Sequence, residues 1–414
     1  MNKRLLPYGT VALAASLLLT GCWDQVQIEE RGFVVGVAVD APRNKLAHQQ
    51  AHKEAPNKPD GQSRFLVTTQ LVIPGGMIAA GQSNGGGGGG QNTANEAFLN
   101  ITSEGDSLFE VSRELATRTS RTPFYQHLKV IVISDEIARS KYGFANAIDF
   151  SLRDPDSRRS TKVFISKGEA KKVIEVKPKT EKLPALYIDS IGDNISKNAR
   201  MLPVVRLGDV HEQLLKDFSF ALPRITAEKS EVKMAGAAII NPDNHLIGFL
   251  GEEETEGLNF LTGEIRGGIL KARVGSDLVV LNIQGAKRSI KADVRDRQHI
   301  KFTINIQCEG AVVESFYPMD LLNGKSISKL QSAFAKEIVR MSNDTITKVH
   351  KDMPADVLRL GRHLKQYHHS LWKQISHDWE KGQKLYEKCE IAVNAEVFIR
   401  NVGGINKTEH SLGR

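Results

Sequence analysis

The apolar residues of this 414-residue chain come in short runs, and this feature most constrains its fold. A helix that crosses a bilayer takes about 20 consecutive apolar residues, and every apolar segment here is shorter or is interrupted by charges. Several runs are rich in valine and isoleucine and end at turn residues, as buried strands do: 32–40, 64–73, 127–134 and 162–166. Segments with helical spacing lie between or after them: 103–119, 142–152, 168–173, 183–199 and 207–215. The alternation predicts an α+β fold, in which helices pack on mixed sheets.

The pattern changes after residue 222, where β-like segments follow one another and long helices come later. The predicted elements are the strands 231–240, 246–251, 278–285, 289–294 and 300–308, the helices from 326, 355–367 and 370–385, and a last strand at 390–399. Ser328 and Gln331 are predicted to form a capping box near the start of the first helix, and Pro354 to end it. We therefore expect a C-terminal domain, 223–414, whose antiparallel sheet is covered by long helices.

The charge and the cysteine content exclude several classes of protein. The chain carries 56 basic and 48 acidic residues, a net charge of +8. This mild bias suits a surface near anionic lipid or cell-wall polymer. Without an aromatic-interleaved basic stripe or zinc-finger spacing, nucleic-acid binding is not expected. Three cysteines in so long a chain exclude a disulfide framework. Cys308 and Cys389 fall on predicted strands, where buried thiols are favoured over a disulfide between them.

No motif carries the context that catalysis or nucleotide binding requires. Residues 81–85 (GQSNG) match the G-x-S-x-G pattern around Ser83. The glycine run 85–90 follows, and glycines do not start the helix that this motif needs. Residues 324–326 (GKS) match the end of a phosphate-binding loop, but Met319 stands where that loop has its first glycine. The sequence therefore predicts no catalytic residue and no cofactor.

Three further clusters are interpreted as structural. The C-terminal helices carry four histidines, at spacings that no pair of zinc ligands on one helix usually has, so an exposed histidine-rich face is favoured over a metal site: His363, His368, His369 and His377. Trp372 and Trp379 lie seven residues apart and are predicted to pack one helix onto the sheet. Residues 252–256 (EEETE) are predicted to be a solvated acidic helix start, where negative charge meets the helix dipole.

The N-terminus has the pattern of an export signal. Lys3 and Arg4 precede a short apolar stretch, 11–19, which is followed by Thr20-Gly21-Cys22. Residues 19–22 (LTGC) resemble the bacterial lipobox. The resemblance predicts a signal peptide at 1–21, cleaved between Gly21 and Cys22, and a mature Cys22 that carries an S-diacylglyceryl group and an N-acyl chain. Because two or more acyl chains anchor stably, we expect a folded body tethered to a membrane.

Four ordered segments resemble one family, the Ger(x)C lipoproteins, which are the C subunits of nutrient germinant receptors of spore-forming bacteria. They are 22–40 (CWDQVQIEERGFVVGVAVD), 125–138 with 152–155, 236–262, and 356–361 with Trp372, Trp379 and the final strand to residue 403. The resemblance covers nearly the whole mature chain. The mature chain before the C-terminal domain, 22–222, is expected to be an α/β region of one or two domains. The glycine-rich loop 74–95 within it has no counterpart in the resemblance and reads as an insertion.

The resemblance implies a subunit held by its lipid anchor on the outer face of the spore inner membrane. It would work with two polytopic membrane subunits, of the A and B types, in nutrient sensing that triggers germination. The family's C subunits are mixed α/β proteins of three domains without known enzymatic activity. The germinant, direct nutrient binding by this subunit, the stoichiometry and the contact surface do not follow from the resemblance.

Two other hypotheses share the export signal. The first is a free-standing solute- or cell-wall-binding lipoprotein, which a cleft between the two main domains and binding of a small nutrient would favour. The second is a surface hydrolase that uses Ser83, which depends on a motif in an unsuitable context.

Overall fold

The computed structural model describes residues 28–42, 64–78, 96–140, 143–317 and 323–401. Cys22 and Ser83 lie outside these residues. The elements up to residue 262 are β1 (Arg31–Asp40), β2 (Phe65–Val72), α1 (Pro74–Ile78), β3 (Phe98–Gly105), α2 (Leu108–Arg118), β4 (Thr122–Phe124), β5 (Val130–Ser134), α3 (Asp135–Arg139), α4 (Gly143–Arg153), β6 (Lys162–Ser166), α5 (Ala170–Ile174), α6 (Pro184–Gly192), α7 (Leu207–Leu214), β7 (Phe220–Glu228), β8 (Glu231–Ile240), β9 (Leu246–Leu250) and α8 (Glu252–Thr262). The later elements are β10 (Gly268–Val274), β11 (Asp277–Asp293), β12 (Lys301–Ser315), α9 (Gly324–Thr347), α10 (Leu360–Tyr367), α11 (His369–Ile375) and β13 (Glu390–Asn401).

The first sheet has nine strands in the order β3-β2-β1-β5-β6-β7-β8-β9, with β4 beside β1. Its centre is parallel, from β1 through β5 and β6 to β7, and both ends are antiparallel. Helices cover both faces, so that Ile131 and Ile133 of β5 enter one core and Val130 and Val132 enter the other. Strands buried on both faces read as continuous apolar runs. The predicted α+β class with mixed sheets is confirmed.

The first sheet continues beyond residue 222. Strand β7 spans that position and pairs with β6 and β8, so β8 and β9 complete this sheet and do not open a second one. Pro223 within β7 masks the strand in the sequence, because proline cannot donate to a ladder. The structure accommodates it at a register shift between Pro223 and Ile225. The division of the mature chain at residue 222 stays a prediction, and one sheet runs across it.

Strand β3 was also not predicted, and it takes the first residues of the helix expected at 103–119. That helix, α2, begins only after Ser107, whose hydroxyl accepts a 3.1 Å hydrogen bond from the Glu110 backbone N–H. One face of β3 is partly exposed and carries polar residues, so the sequence lacks the continuous apolar run that would predict a strand. Serine favours such a cap because its side chain satisfies an unpaired N–H of the first turn.

The second sheet has the order β10-β11-β12-β13. Its first three strands are antiparallel, but β13 runs parallel to β12. The expectation of a purely antiparallel C-terminal sheet is therefore corrected at this strand. Helices α9 to α11 carry the chain back to the starting end of β12, and such a crossover makes the next strand parallel. The strands predicted at 278–285 and 289–294 form one strand, β11, with a register shift between Ile283 and Gly285.

Helix α9 is the longest helix among the described residues and covers the second sheet. The predicted apolar face is confirmed, since Leu330, Phe334, Ile338 and Met341 are buried. The predicted capping box is wrong, because the helix begins one turn earlier, where the Asn323 side chain accepts a 2.9 Å hydrogen bond from Lys325 N. The hydroxyl of Ser328 instead donates to the Gly324 carbonyl inside the helix. The α-helix ends at Thr347 and a single π-helical turn, 348–352, precedes Pro354.

Candidate functional site at the domain junction

The cysteines that the structure describes are buried and free. Cys308 on β12 and Cys389 just before β13 are not bonded to each other, which confirms the interpretation as buried thiols. Burial raises the pKa of both thiols to about 12. Since the thiolate is the reactive form of cysteine, burial disfavours reaction of both thiols at neutral pH. The residue predicted to be lipidated, Cys22, lies outside the described part of the chain.

The four histidines do not form one exposed helix face as predicted. His363 lies on α10 and His369 begins α11, whereas His368 lies between the helices and His377 after α11, and His363 and His368 are partly buried. His363 packs its ring 4.7 Å from the Tyr367 ring and 6.2 Å from the His368 ring. The His377 side chain is exposed. Among the residues that the structure describes, no group of three or more histidines, cysteines or acids is placed to hold a metal ion.

The two tryptophans form the centre of an aromatic cluster. The predicted single helix 370–385 ends at Ile375, so Trp372 lies on α11 and Trp379 in the turn after it, and the two do not share one helix as predicted. Their rings lie 6.1 Å apart, Trp372 against Phe218 and Trp379 against Phe302 and Tyr386. Phe218 lies two residues before β7 of the first sheet, whereas Phe302 is the second residue of β12 of the second sheet. The cluster therefore joins the two sheets, and edge-to-face pairs of this kind add to the stability that burial supplies.

A buried carboxylate, Asp356, organises the chain around this cluster. Its Oδ1 accepts a hydrogen bond from Leu360 N at 2.9 Å, and its Oδ2 accepts from Gly361 N at 2.6 Å. The Trp379 indole nitrogen also donates to Oδ2, at 2.8 Å. A buried charge requires such partners. The segment 356–361 and Trp379, which the sequence singles out separately, thus form one unit.

Glu380 lies beside Asp356 and reaches the other half of the molecule. Its carboxylate accepts from the Asp356 backbone N–H at 2.8 Å and from the Ser219 backbone N–H at 3.1 Å, and the Ser219 hydroxyl donates to it as well. Burial, and then the proximity of Glu380, raises the pKa of Asp356 to about 7. Burial likewise raises the pKa of Glu380. Two acids in one buried site disfavour simultaneous ionisation.

Two arginines connect the loop after Asp356 to the end of α8. Arg359 adopts a left-handed backbone conformation (φ 65°) and its Nη1 lies 2.7 Å from Glu264 Oε1. Arg288 on β11 donates to the carbonyls of Leu261 and Leu358, the latter at 3.1 Å. Burial, and then the nearby Arg359, lowers the pKa of Arg288 to about 10. A non-glycine residue keeps a positive φ only where its surroundings hold it in that conformation. The ion pair with Glu264 contributes to holding Arg359.

Helix α8 is buried at the centre of the junction. The predicted acidic helix start is present, since the Glu254 carboxylate accepts from the Gly251 backbone N–H. Glu256 departs from the prediction of solvated acids, because only 2% of it is exposed and it pairs with Arg200 Nε at 3.2 Å. Burial raises its pKa to about 7. Asn259 also ties the helix to the first half, donating to the carbonyls of Ala199 and Met201 at 2.8 Å each.

Gly257 allows α8 to approach α9 closely. A Cβ atom at this position would lie 2.3 Å from Thr345 Oγ1 and 2.6 Å from the Met341 carbonyl oxygen. The Thr345 hydroxyl donates to the Glu254 carbonyl at 2.8 Å, which joins the two helices. Glu256, Gly257 and Leu258 lie within the segment 236–262 that resembles the family, and the structure gives each a physical role. Glu256 forms a buried ion pair, Gly257 makes the helix contact and Leu258 is a core residue.

A cleft of about 300 Å³ opens at this junction. One wall carries Glu212 and Gln213 of α7, and the opposite wall carries Arg359 and Arg362. Arg362 donates to the Gln213 side chain, and its pKa is lowered, chiefly by burial and then by Arg359. Clefts between domains that combine apolar walls with a few polar groups are usual small-molecule sites. This one offers several polar groups for recognition, among them Gln213, Arg359 and Arg362.

Among the described residues, no helix combines the length and apolarity that a bilayer crossing would take.

Comparison with known proteins matches two domains to this chain. The Spore germination protein N-terminal domain matches residues 24–227, and the domain described as Spore germination B3/GerAC like, C-terminal, matches 235–403. Spore germination protein YndF of Bacillus subtilis (strain 168) is 29% identical over 406 residues, which cover 97% of this chain and 98% of that protein. Spore germination protein A3 of the same organism is 28% identical over 397 residues, 95% of this chain and 97% of that protein.

A solved structure shows the same fold. The crystal structure of the GerBC protein matches with a TM-score of 0.57 at 20% identity, over 82% of this chain and 96% of that one. The two domain matches follow each other along nearly the whole chain from residue 24 to 403, in the order that the resemblance of its segments predicts. The chain therefore belongs to the Ger(x)C family of spore germination proteins.

Proposed function

We propose that this protein is a lipid-anchored, non-enzymatic subunit of a spore nutrient germinant receptor, which assembles with polytopic A- and B-type membrane subunits to trigger germination. The observation that carries the proposal is the order of the chain: a lipobox ends at Cys22, and the match to the family's N-terminal domain begins at residue 24. The relatives named spore germination proteins A3 and B3 support a role in germination.

The anchor would hold one end of the first sheet close to the outer face of the spore inner membrane. Five residues separate Cys22 from Ile28, where the described chain begins, and the six steps from Cys22 to Ile28 span at most roughly 20 Å. Ile28 leads directly into β1, whose first residues Arg31 and Phe33 pair with β4. The surface near these strands is therefore the part of the body that we expect next to the bilayer.

The chemistry of the junction supports assembly in place of catalysis. Asp356 and Glu380 receive hydrogen bonds from backbone and side-chain donors of their own fold, and Glu256 is paired with Arg200. These acids have raised pKa values because they are buried. Structural networks perturb pKa values as active sites do, and the complete set of internal partners favours the structural role here.

An affinity pull-down from detergent-solubilised dormant-spore membranes tests the assembly. The tagged protein should recover two polytopic membrane proteins in comparable amounts, identified by mass spectrometry. Recovery of the tagged protein alone, under conditions that preserve another membrane complex, would contradict the proposal.

Replacement of the lipidated cysteine tests the anchor. Cys22→Ala should abolish incorporation of a labelled fatty acid and move the protein from the membrane to the soluble fraction, because the acyl chains supply the attachment. Cys308→Ala is the matched control, since it removes a buried thiol outside the lipobox and should leave both readouts unchanged. Full membrane retention and full germination activity of the Cys22→Ala protein would refute the anchor.

A free-standing binding lipoprotein is a second candidate, and the cleft of about 300 Å³ at the domain junction is the observation that favours it. Calorimetry of the isolated protein with single amino acids and sugars tests this function. Tight binding that is lost in Arg362→Gln, combined with the absence of membrane subunits in the pull-down, would establish this second function and displace the receptor-subunit proposal.

A further inference from the structure

A basic groove of about 790 Å³ lies between strand β10 and helix α9, on the C-terminal domain. One wall is the strand from Lys271 to Gly275, and the other is a face of α9 that includes Lys329 and Lys336. Ala333 of α9 and the buried residues of the strand contribute apolar surface between the charges. We refer to this feature as the basic groove.

The groove has an excess of positive charge that the described part of the chain does not neutralise. Its acid, Glu337, is engaged by Arg340 at 2.6 Å. Arg273 donates to the Ser276 carbonyl and Lys329 to the Tyr317 hydroxyl, both uncharged partners. Neither Lys271 nor Lys336 has a carboxylate within ion-pair distance among the described residues. Four cations thus line the groove, Lys271 and Arg273 from the outer face of β10 and Lys329 and Lys336 from α9, and its acid is already paired.

The strand that forms the groove is also an edge of its sheet. Among the described residues, β10 pairs with β11 alone, and it contains no proline or register shift that would block a further strand. An edge strand presents unpaired backbone N–H and C=O groups to a partner. Lys271 and Arg273 lie on its exposed side, two residues apart, where they flank any chain that pairs with this edge.

The charges restrict what can occupy the groove. Pairing of β10 with β10 of a second copy would bring Lys271 and Arg273 against their own counterparts, and like charges on adjacent strands are destabilising. The segments of this chain outside the described residues do not complement the groove either. Residues 1–27, 43–63, 141–142 and 402–414 carry more basic than acidic residues, and 79–95 carries no charge. The segment 318–322 carries a single acid, Asp320, which is too little to balance four cations. The charge complement therefore comes from another protein.

We propose that the basic groove binds an acidic, extended segment of a partner protein, which adds to β10 as a fifth strand of the second sheet. Backbone hydrogen bonds to the β10 edge supply affinity, as in other complexes formed by strand addition. Carboxylates of the segment pair with Lys271, Arg273, Lys329 and Lys336. If the partner is a receptor subunit, the inference rests on the proposed function, but the groove itself does not depend on the lipid anchor.

The test uses the full mature protein in detergent micelles and a fluorescent seven-residue peptide that alternates glutamate with valine, the length of β10. Fluorescence anisotropy should show binding at low ionic strength that weakens as salt screens the charges. The double variant Lys271→Gln/Lys336→Gln should bind the peptide roughly fivefold to tenfold more weakly. The control Lys287→Gln/Lys291→Gln removes the same charge from β11 and should bind as the unmodified protein does.

A second peptide separates strand addition from simple attraction of charge. It keeps the glutamates and replaces each valine with proline, which cannot donate to a ladder, and it should bind far more weakly. Equal binding of both peptides, or equal loss in both double variants, would overturn strand addition at this groove. So would the absence of peptide binding together with Lys271/Lys336-dependent binding to phosphatidylglycerol vesicles, which would identify a lipid surface as the partner. Because no membrane subunit is present, failure here is distinguishable from failure of the pull-down.

Discussion

Replacement of Trp379 with phenylalanine tests whether Asp356 organises the domain junction. The indole nitrogen donates the 2.8 Å hydrogen bond to Asp356, and the side chain is 1% exposed. Trp379→Phe keeps one aromatic ring, removes the donor and leaves a small cavity. A hydrogen bond to a charged group contributes about 1.5–3 kcal/mol, and the lost ring atoms about 1 kcal/mol more. We expect the free energy of unfolding to fall by about 3 kcal/mol.

Trp372→Phe is the matched control, because the same ring truncation occurs 6.1 Å away. Among the described residues, the Trp372 indole nitrogen has no hydrogen-bond acceptor. This variant should lose only the packing contribution of about 1 kcal/mol. Urea unfolding, followed by far-ultraviolet circular dichroism, measures both changes as shifts of the midpoint at unchanged slope.

The pH dependence of the difference separates the hydrogen bond from packing. The bond from Trp379 lowers the pKa of Asp356, but burial dominates and places it at about 7. At pH 8 the carboxylate is ionised and the bond is strong, whereas at pH 5 the acid is protonated and the bond is weaker. The gap between the two variants should therefore be larger at pH 8 than at pH 5. Equal losses at pH 8, or a gap that is the same at both pH values, would refute the reasoning.

Three further predictions follow from burial and close packing. Gly257→Ala should lower the free energy of unfolding by about 2 kcal/mol, because the destabilisation from overpacking against α9 exceeds the gain in helix propensity. Gly285→Ala is the control, since a Cβ at that position meets open space. Equal urea midpoints of the two variants would contradict the prediction. Burial raises the pKa of Glu256 from 4.5 to about 7. The folded state therefore binds more protons than the unfolded state between these pH values, and the free energy of unfolding should fall as the pH rises through that window. Glu256→Gln should reduce this dependence of the free energy of unfolding on pH, measured by urea titrations at several pH values. Cys308 and Cys389 should resist a thiol reagent in the native protein and react on unfolding, since burial raises both pKa values to about 12; rapid native labelling detected by mass spectrometry would argue against burial.

Local patterns predicted the elements whose burial is uniform along their length. Strands β1 and β6 and the apolar face of α9 follow directly from runs of valine and isoleucine or from helical spacing. Strand β7 escaped this reasoning because Pro223 contradicts a strand, and only its neighbours β6 and β8 show how the register tolerates it. The parallel direction of β13 depends on the crossover through α9 to α11, which strand patterns do not encode.

The candidate site was predicted in pieces and joined only by the fold. Trp379 and the segment that begins at Asp356 were recognised separately, and a 2.8 Å hydrogen bond unites them across 23 residues. Ser219 donates a hydrogen bond to Glu380, which lies 161 residues later, and no local sequence pattern predicts this contact. Glu256 was read as a solvated acid because it follows other acids, whereas its position on the buried side of α8 pairs it with Arg200.

The sequence by itself determined the types of most elements and the family, because each of these depends on neighbours along the chain. The tertiary structure decided which distant groups share an environment: the acids at the junction, the cleft between the two halves, and the cations beside the free edge of β10. The physical reason is that periodicity and turn chemistry act over a few residues, whereas burial, pairing of charges and strand order arise only when separate segments exclude water together.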